Sequence, residues 1–136
     1  MSDAFTIERV SRVIPTIPAA HWLIRLPLAG IIMYQGFSKV PLAASDAAAF
    51  GVPVLLWVLA ALGEITSGAA LIAGGVLKDG RGELLTRIGG LMIAAIVASV
   101  IAVVYWAPLW DILSYNQFHV LLLAGGVYFA LRGNDA

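Results

Sequence analysis

The sequence has no cysteine. That one absence removes disulfides, thiolate nucleophiles, zinc–thiolate sites and iron–sulfur clusters together. Histidine is almost missing too, with only His21 and His119. Charged residues make up 12% of the chain, about half the share of an ordinary soluble domain. Eight basic residues balance eight acidic ones, so no electrostatic footprint for nucleic acid exists. No phosphate-cradling glycine loop, nucleophile elbow or paired-histidine metal motif occurs. There is also no internal repeat and no loop long enough for a separate soluble domain.

What fills the space is apolar. Of 136 residues, 61% are hydrophobic, and the mean hydropathy is +0.95. A soluble domain of this length has too little interior to hide so much apolar side chain. The composition describes an integral membrane protein.

The first twenty residues do not read as a signal peptide, which needs basic residues followed at once by an apolar run. Met1 to Ala20 instead mixes Asp3, Glu8, Arg9 and Arg12 with Phe5, Ile7, Val10, Val13 and Ile14, and closes on Pro15 and Pro18. That pattern suits a short amphipathic helix on the membrane surface. A loosely ordered tail is the plainer alternative for so short a segment. Four apolar stretches follow, each near the roughly 20 residues that cross the hydrocarbon core: about His21 to Val40, Pro53 to Leu77, Ile88 to Trp106 and Tyr115 to Leu131. The expected fold is an all-α integral membrane four-helix up-and-down bundle, residues 21–136, behind an N-terminal segment of residues 1–20.

Local signals punctuate these stretches. Pro53 opens the second, where a missing N–H costs nothing. Lys78 to Gly82 reads as a tight polar turn. Ser114 and Gln117 have capping-box spacing at the start of the fourth helix, and Pro41 and Pro108 mark the exits of the first and third. Arg9, Arg12, Lys78, Arg81, Arg87 and Arg132 fall on one side and only Lys39 on the other. The charge rule then puts both termini in the cytoplasm, with Trp57, Tyr105, Trp106, Trp110 and Tyr115 as an outer aromatic belt. In the third helix Gly90, Ala94, Ala98 and Ala102 recur every four residues, a small-residue stripe for close packing within the bundle or against another subunit.

Ionisable groups inside a span cost roughly 2.5–3.5 kcal/mol each and need a reason. Glu64 lies near the middle of the second stretch. On the first helix Arg25, Gln35, Gly36 and Lys39 share an arc of about 100°. Gln35 falls nearest the depth of Glu64, and Lys39 about one turn further out. The expected intramembrane cluster is therefore Glu64, Arg25, Gln35 and Lys39. It reads either as a clasp fixing helix register or as a proton-relay or quinone-headgroup site. Asn116, Gln117 and His119 form an expected second patch at the outer end of the fourth helix, where His119 is a ligand or proton-exchanging group or a half-solvated interfacial histidine. The two histidines start on opposite sides of the membrane and cannot share one haem, which argues against a cytochrome-b-like protein.

With these spans in place, the chain resembles the DoxX family of small bacterial membrane proteins over about Trp22 to Gly133. Arg25-Leu-Pro-Leu-Ala29 and Gly36-Phe-Ser-Lys39 are similar to the family's R-x-x-x-G and H-G-x-x-K segments, with Ala29 in place of glycine and Gln35 in place of histidine or another polar residue. Glu64-Ile-Thr-Ser-Gly68, with Gly74 and Gly75, is similar to its E-x-x-x-G and glycine-rich exit; Arg81 and Arg87 follow. The resemblance implies a four-helix bundle in the bacterial inner membrane, without a covalent or metal-ligated cofactor and with quinone or lipid as the molecule it would bind. Some relatives are small subunits of thiosulfate:quinone oxidoreductase. Two functions follow as expectations: an accessory subunit packed against a larger redox or energy-converting complex, or a quinone-reactive subunit of an oxidoreductase. The partners implied are membrane lipids, other membrane subunits or further copies of the chain. A stand-alone transporter is weaker, since four spans in one chain offer little cavity and no broken-helix pair is evident beyond Pro27.

Overall fold

The computed structural model describes residues 2–135, with side chains from Ile7 onward. All regular structure among the described residues is helical. In chain order the α-helices are α1 (Ser2–Ser11), α2 (Trp22–Ser38), α3 (Ala44–Ala49), α4 (Val54–Val76), α5 (Gly80–Val103), α6 (Leu109–Tyr115) and α7 (Gln117–Arg132). Single 3-10 turns at Pro18–His21 and Gly133–Asp135 flank α2 and α7.

The four longest helices run alternately up and down. Arg25 near the start of α2 meets Leu71 near the end of α4, Thr86 near the start of α5 and Asn134 just past α7. Lys39 at the other end of α2 meets Glu64, and Tyr105 beyond α5 meets His119 at the start of α7. One core joins all four: Leu28, Ala29 and Ile32 from α2, Leu71 from α4, Ile93 and Val97 from α5, and Leu122 and Phe129 from α7.

Close approach is what the glycines contribute. A Cβ on Gly68 of α4 would stand 2.9 Å from the carbonyl oxygen of Ala29 in α2. A Cβ on Gly90 of α5 would stand 2.6 Å from the Ala130 nitrogen, and one on Gly126 of α7 2.7 Å from the Ala94 nitrogen. Backbone thus touches backbone at the α5–α7 crossing, as in small-residue helix packing. The expected stripe is only half used there: Gly90 and Ala94 are buried, Ala98 and Ala102 exposed. At 3.6 residues per turn a four-residue step overshoots by about 40°, so by Ala102 the stripe has rotated off the interface.

Two helices, α4 and α5, are long and apolar enough to cross a membrane. Only 28% of the most apolar stretch in each is buried, whereas the core helix of a soluble protein hides most of its surface. Helices α2 and α7 have 17 and 16 residues, or roughly 25 Å of rise.

Several boundaries differ from expectation. Helix α5 starts at Gly80, not near Ile88, because the Asp79 carboxylate caps it, accepting from the amides of Arg81 and Gly82 at 3.1 Å. The polar turn therefore shrinks to Leu77–Asp79. The expected capping box at Ser114 and Gln117 is absent: Ser114 lies inside α6, Asn116 is the N-cap of α7, and the Gln117 amide donates to the Ser114 carbonyl at 3.1 Å. Helices α3 and α6, six and seven residues long, give no periodic signal. The N-terminal helix α1 is present, and residues 7–20 are exposed throughout. Asp3 and Phe5, part of its expected amphipathic pattern, have side chains outside the described residues.

Candidate functional site

The expected intramembrane cluster divides into two sites at opposite ends of α2. Lys39 follows Arg25 by fourteen positions, about 21 Å of helix, so Arg25 is out of reach of Glu64. Each basic residue has its own set of partners.

At the Lys39 end, Nζ lies 2.6 Å from Glu64 Oε2, and the two side chains are 13% and 4% exposed. Lys39 also donates to the carbonyl of Gln35 at 3.2 Å. Its ammonium stands 5.3 Å from the centre of the Trp57 ring, a cation–π contact. Trp57 in turn stacks on Phe50 with centroids 5.2 Å apart. The partner of Glu64 is therefore Lys39 and not Gln35, although Gly36 packs directly against Glu64 as the expected depth requires. The reason is direction: helix side chains tilt toward the N-terminus, and a four-carbon stem spans the missing turn.

A cavity of about 640 Å³ opens beside this pair. Its origin is a difference in helix length. Gly36, almost at the end of α2, already contacts Ala61 and Glu64, so the first turns of α4 run past the end of α2. Helix α3 and its C-cap residue cover part of the gap, contributing Asp46 and Phe50 to the wall. The lining passes from exposed Leu59, Ser99 and Val103 on α4 and α5 inward to Gln35, Lys39 and Glu64. Tyr105 and His119 also face it, with ring centroids 4.7 Å apart. Of the expected patch Asn116, Gln117 and His119, only His119 reaches the cavity. Asn116 and Gln117 serve the α6–α7 junction, so the three do not act as one patch.

At the other end Arg25 is fully buried. Its Nη1 donates to the Leu71 carbonyl at 2.6 Å and to Thr86 Oγ1 at 2.9 Å, and Nη2 to Asn134 Oδ1 at 3.0 Å. Nε donates to His21 Nδ1 at 3.3 Å, and the guanidinium lies 4.6 Å from the centre of the Phe129 ring. His21, in the turn outside α2, has its imidazole pKa lowered by burial first and by the Arg25 cation second. It is neutral at pH 7 and free to accept. Asn134 ties in further groups: it accepts from Thr86 Oγ1 at 2.6 Å, donates to the Gly74 carbonyl at 2.9 Å, and its backbone amide donates to Glu83 at 2.7 Å. Glu83 pairs with Arg87, which donates to the Leu131 carbonyl at 2.9 Å. Among the described residues no carboxylate lies within ion-pair distance of Arg25.

Sequence reasoning missed Thr86 and Asn134. Thr86 lies midway between Gly82 and Gly90 at spacings of four, which places it on the α5 packing face. Asn134 carries no local signal, because its partners are 48 to 109 positions away.

Compared with protein-family models, with curated proteins and with solved structures, the chain finds no match.

Proposed function

We propose that the chain is a four-span, DoxX-like protein of the bacterial inner membrane, with both termini cytoplasmic, and that it is a small accessory subunit docked on a larger redox or energy-converting complex. The observation that carries the membrane reading is the outward face of the four long helices. Leu23, Tyr34, Leu55, Leu91 and Leu121 are all more than half exposed, while Arg25 and Glu64 point inward and are buried. A surface so apolar is unstable in water and natural against lipid. The resemblance gains support from where its residues sit: Arg25, Ala29, Gly36, Lys39, Glu64, Gly68 and Gly74 all lie at contacts between helices.

The accessory reading is supported by how the polar groups are used. Arg25 is occupied in holding α2 to α4, α5 and the segment after α7, and Lys39 in holding α2 to α4. Purification in mild detergent tests the role directly, with co-migration of a larger membrane complex as the expected result. Reporter fusions at Asp46 and Asp111 should read as external and one at Gly80 as cytoplasmic; an external Gly80 would overturn the orientation. The second reading, a quinone-linked oxidoreductase subunit, is favoured by the cavity beside the ion pair. Loss of a redox activity on gene deletion, restored catalytically by the purified protein, would select it.

A further inference from the structure

We infer that the cavity at the Lys39 end takes a neutral lipophile with a hydroxyl-bearing head, such as a monoacylglycerol, entering sideways between α4 and α5. The inference rests on the membrane reading above, is independent of the accessory role, and competes with the quinone-linked reading for the same cavity. About 640 Å³ is within the range of pockets that enclose small ligands. On α4 and α5 its lining includes exposed Leu59, Ser99 and Val103, so an acyl chain lying on that side meets mostly apolar side chains, whereas exposed Ser38 and Asp46 lie on the other side.

The head is specified by what the ion pair leaves unfilled. An ammonium carries three N–H donors; Lys39 uses one on Glu64 and one on the Gln35 carbonyl. Glu64 receives its hydrogen bond on Oε2, and Oε1 accepts none. Oε1 is thus a spare acceptor, and Trp57 of the same lining, whose ring faces the ammonium, has a buried Nε1–H without a partner. A hydroxyl serves either, since it donates one bond and accepts others. The oxidised ring of a quinone has acceptors only and would leave Oε1 unpaired. Net charge decides against anionic heads: Lys39 is neutralised by Glu64, and Asp46 adds a further negative charge to the lining.

Native mass spectrometry of the full chain released from detergent micelles, titrated with monooleoylglycerol, oleate or decylubiquinone, tests this. The expected result is one saturable monooleoylglycerol adduct per chain, bound at least tenfold more tightly than either competitor. Ser99→Phe, at an exposed position of the lining, should weaken that adduct at least tenfold without changing the melting temperature. Equal or tighter binding of oleate or decylubiquinone would overturn the assignment. So would an adduct indifferent to Ser99→Phe, or the absence of any saturable adduct. Extraction of cell membranes with alkaline carbonate tests the membrane reading separately, so failure of the ligand site leaves that result readable.

Discussion

Breaking the Lys39–Glu64 pair from one side should cost far more than removing it whole. The ions are 2.6 Å apart, with side chains 13% and 4% exposed, so water reaching them through the cavity replaces a lost partner only in part. Glu64→Leu leaves the ammonium with the Gln35 carbonyl and the face of Trp57. An orphaned buried charge of this kind costs about 3–5 kcal/mol. Glu64→Gln keeps an oxygen in place and exchanges a charge-assisted bond for a neutral one, a loss of about 1–2 kcal/mol. The double variant Lys39→Met/Glu64→Leu fills the site with apolar atoms of similar length; such replacements of buried pairs are neutral or stabilising by about 1–4 kcal/mol. The assay is denaturant unfolding of the detergent-purified chain followed by far-ultraviolet circular dichroism, analysed as a double-mutant cycle. A coupling energy of about 2 kcal/mol or more is expected. Single effects that merely add up in the double variant, within about 0.5 kcal/mol, would refute the reasoning. A Glu64→Gln protein that folds normally while its complex loses activity would move the pair from clasp to chemistry.

The remaining predictions use the same unfolding assay. Gly126→Ala puts a methyl 2.7 Å from the backbone nitrogen of Ala94 and should destabilise by about 1–3 kcal/mol as α5 and α7 are pushed apart; Gly30→Ala, with nothing within 4 Å, should be neutral or stabilising by about 0.5–1 kcal/mol. Equal effects at the two positions would contradict backbone contact at the crossing. Thr86→Val keeps the shape but removes the hydroxyl shared by Arg25 and Asn134, and should cost about 1–3 kcal/mol, with Thr86→Ser close to wild type. Arg25→Lys should not preserve stability, because an ammonium cannot reproduce the fork that reaches Leu71, Thr86, Asn134 and His21 together; a wild-type melting temperature for this variant would contradict that geometry.

The sequence and the structure agree best where the physics is local. Apolar stretches mark the four long helices, and the buried face of α2, running through Arg25, Ala29, Ile32 and Gly36, lies on the arc that the helical period predicts. Agreement weakens where the answer depends on reach or precession. Arg25 and Lys39 share a face of α2, but a face says nothing about how far along it a partner sits. Gly90 to Ala102 looks like one stripe because spacing of four is close to, but not equal to, a helical turn. Ser114 and Gln117 match a capping pattern, yet the extra turn of α6 moves the cap to Asn116. The Arg25 site was the least legible, since Thr86 and Asn134 are ordinary polar residues until four helices bring them together.

On the proposed four-span reading, the bonds of Asn134 also bear on the order of biosynthesis. Arg25 leaves the ribosome 109 positions ahead of the side chain that accepts from its Nη2, and Leu71 and Thr86 appear in between. On that reading a nascent chain holding only α2, α4 and α5 carries a guanidinium whose Nη2 bond to Asn134 is still unmade. Only when α7 has been threaded back does Gly133, with φ of +62°, turn the backbone so that Asn134 can close the set. The last step of insertion is thereby made favourable by a cation inserted first, and an unfinished chain stays chemically distinguishable from a finished one.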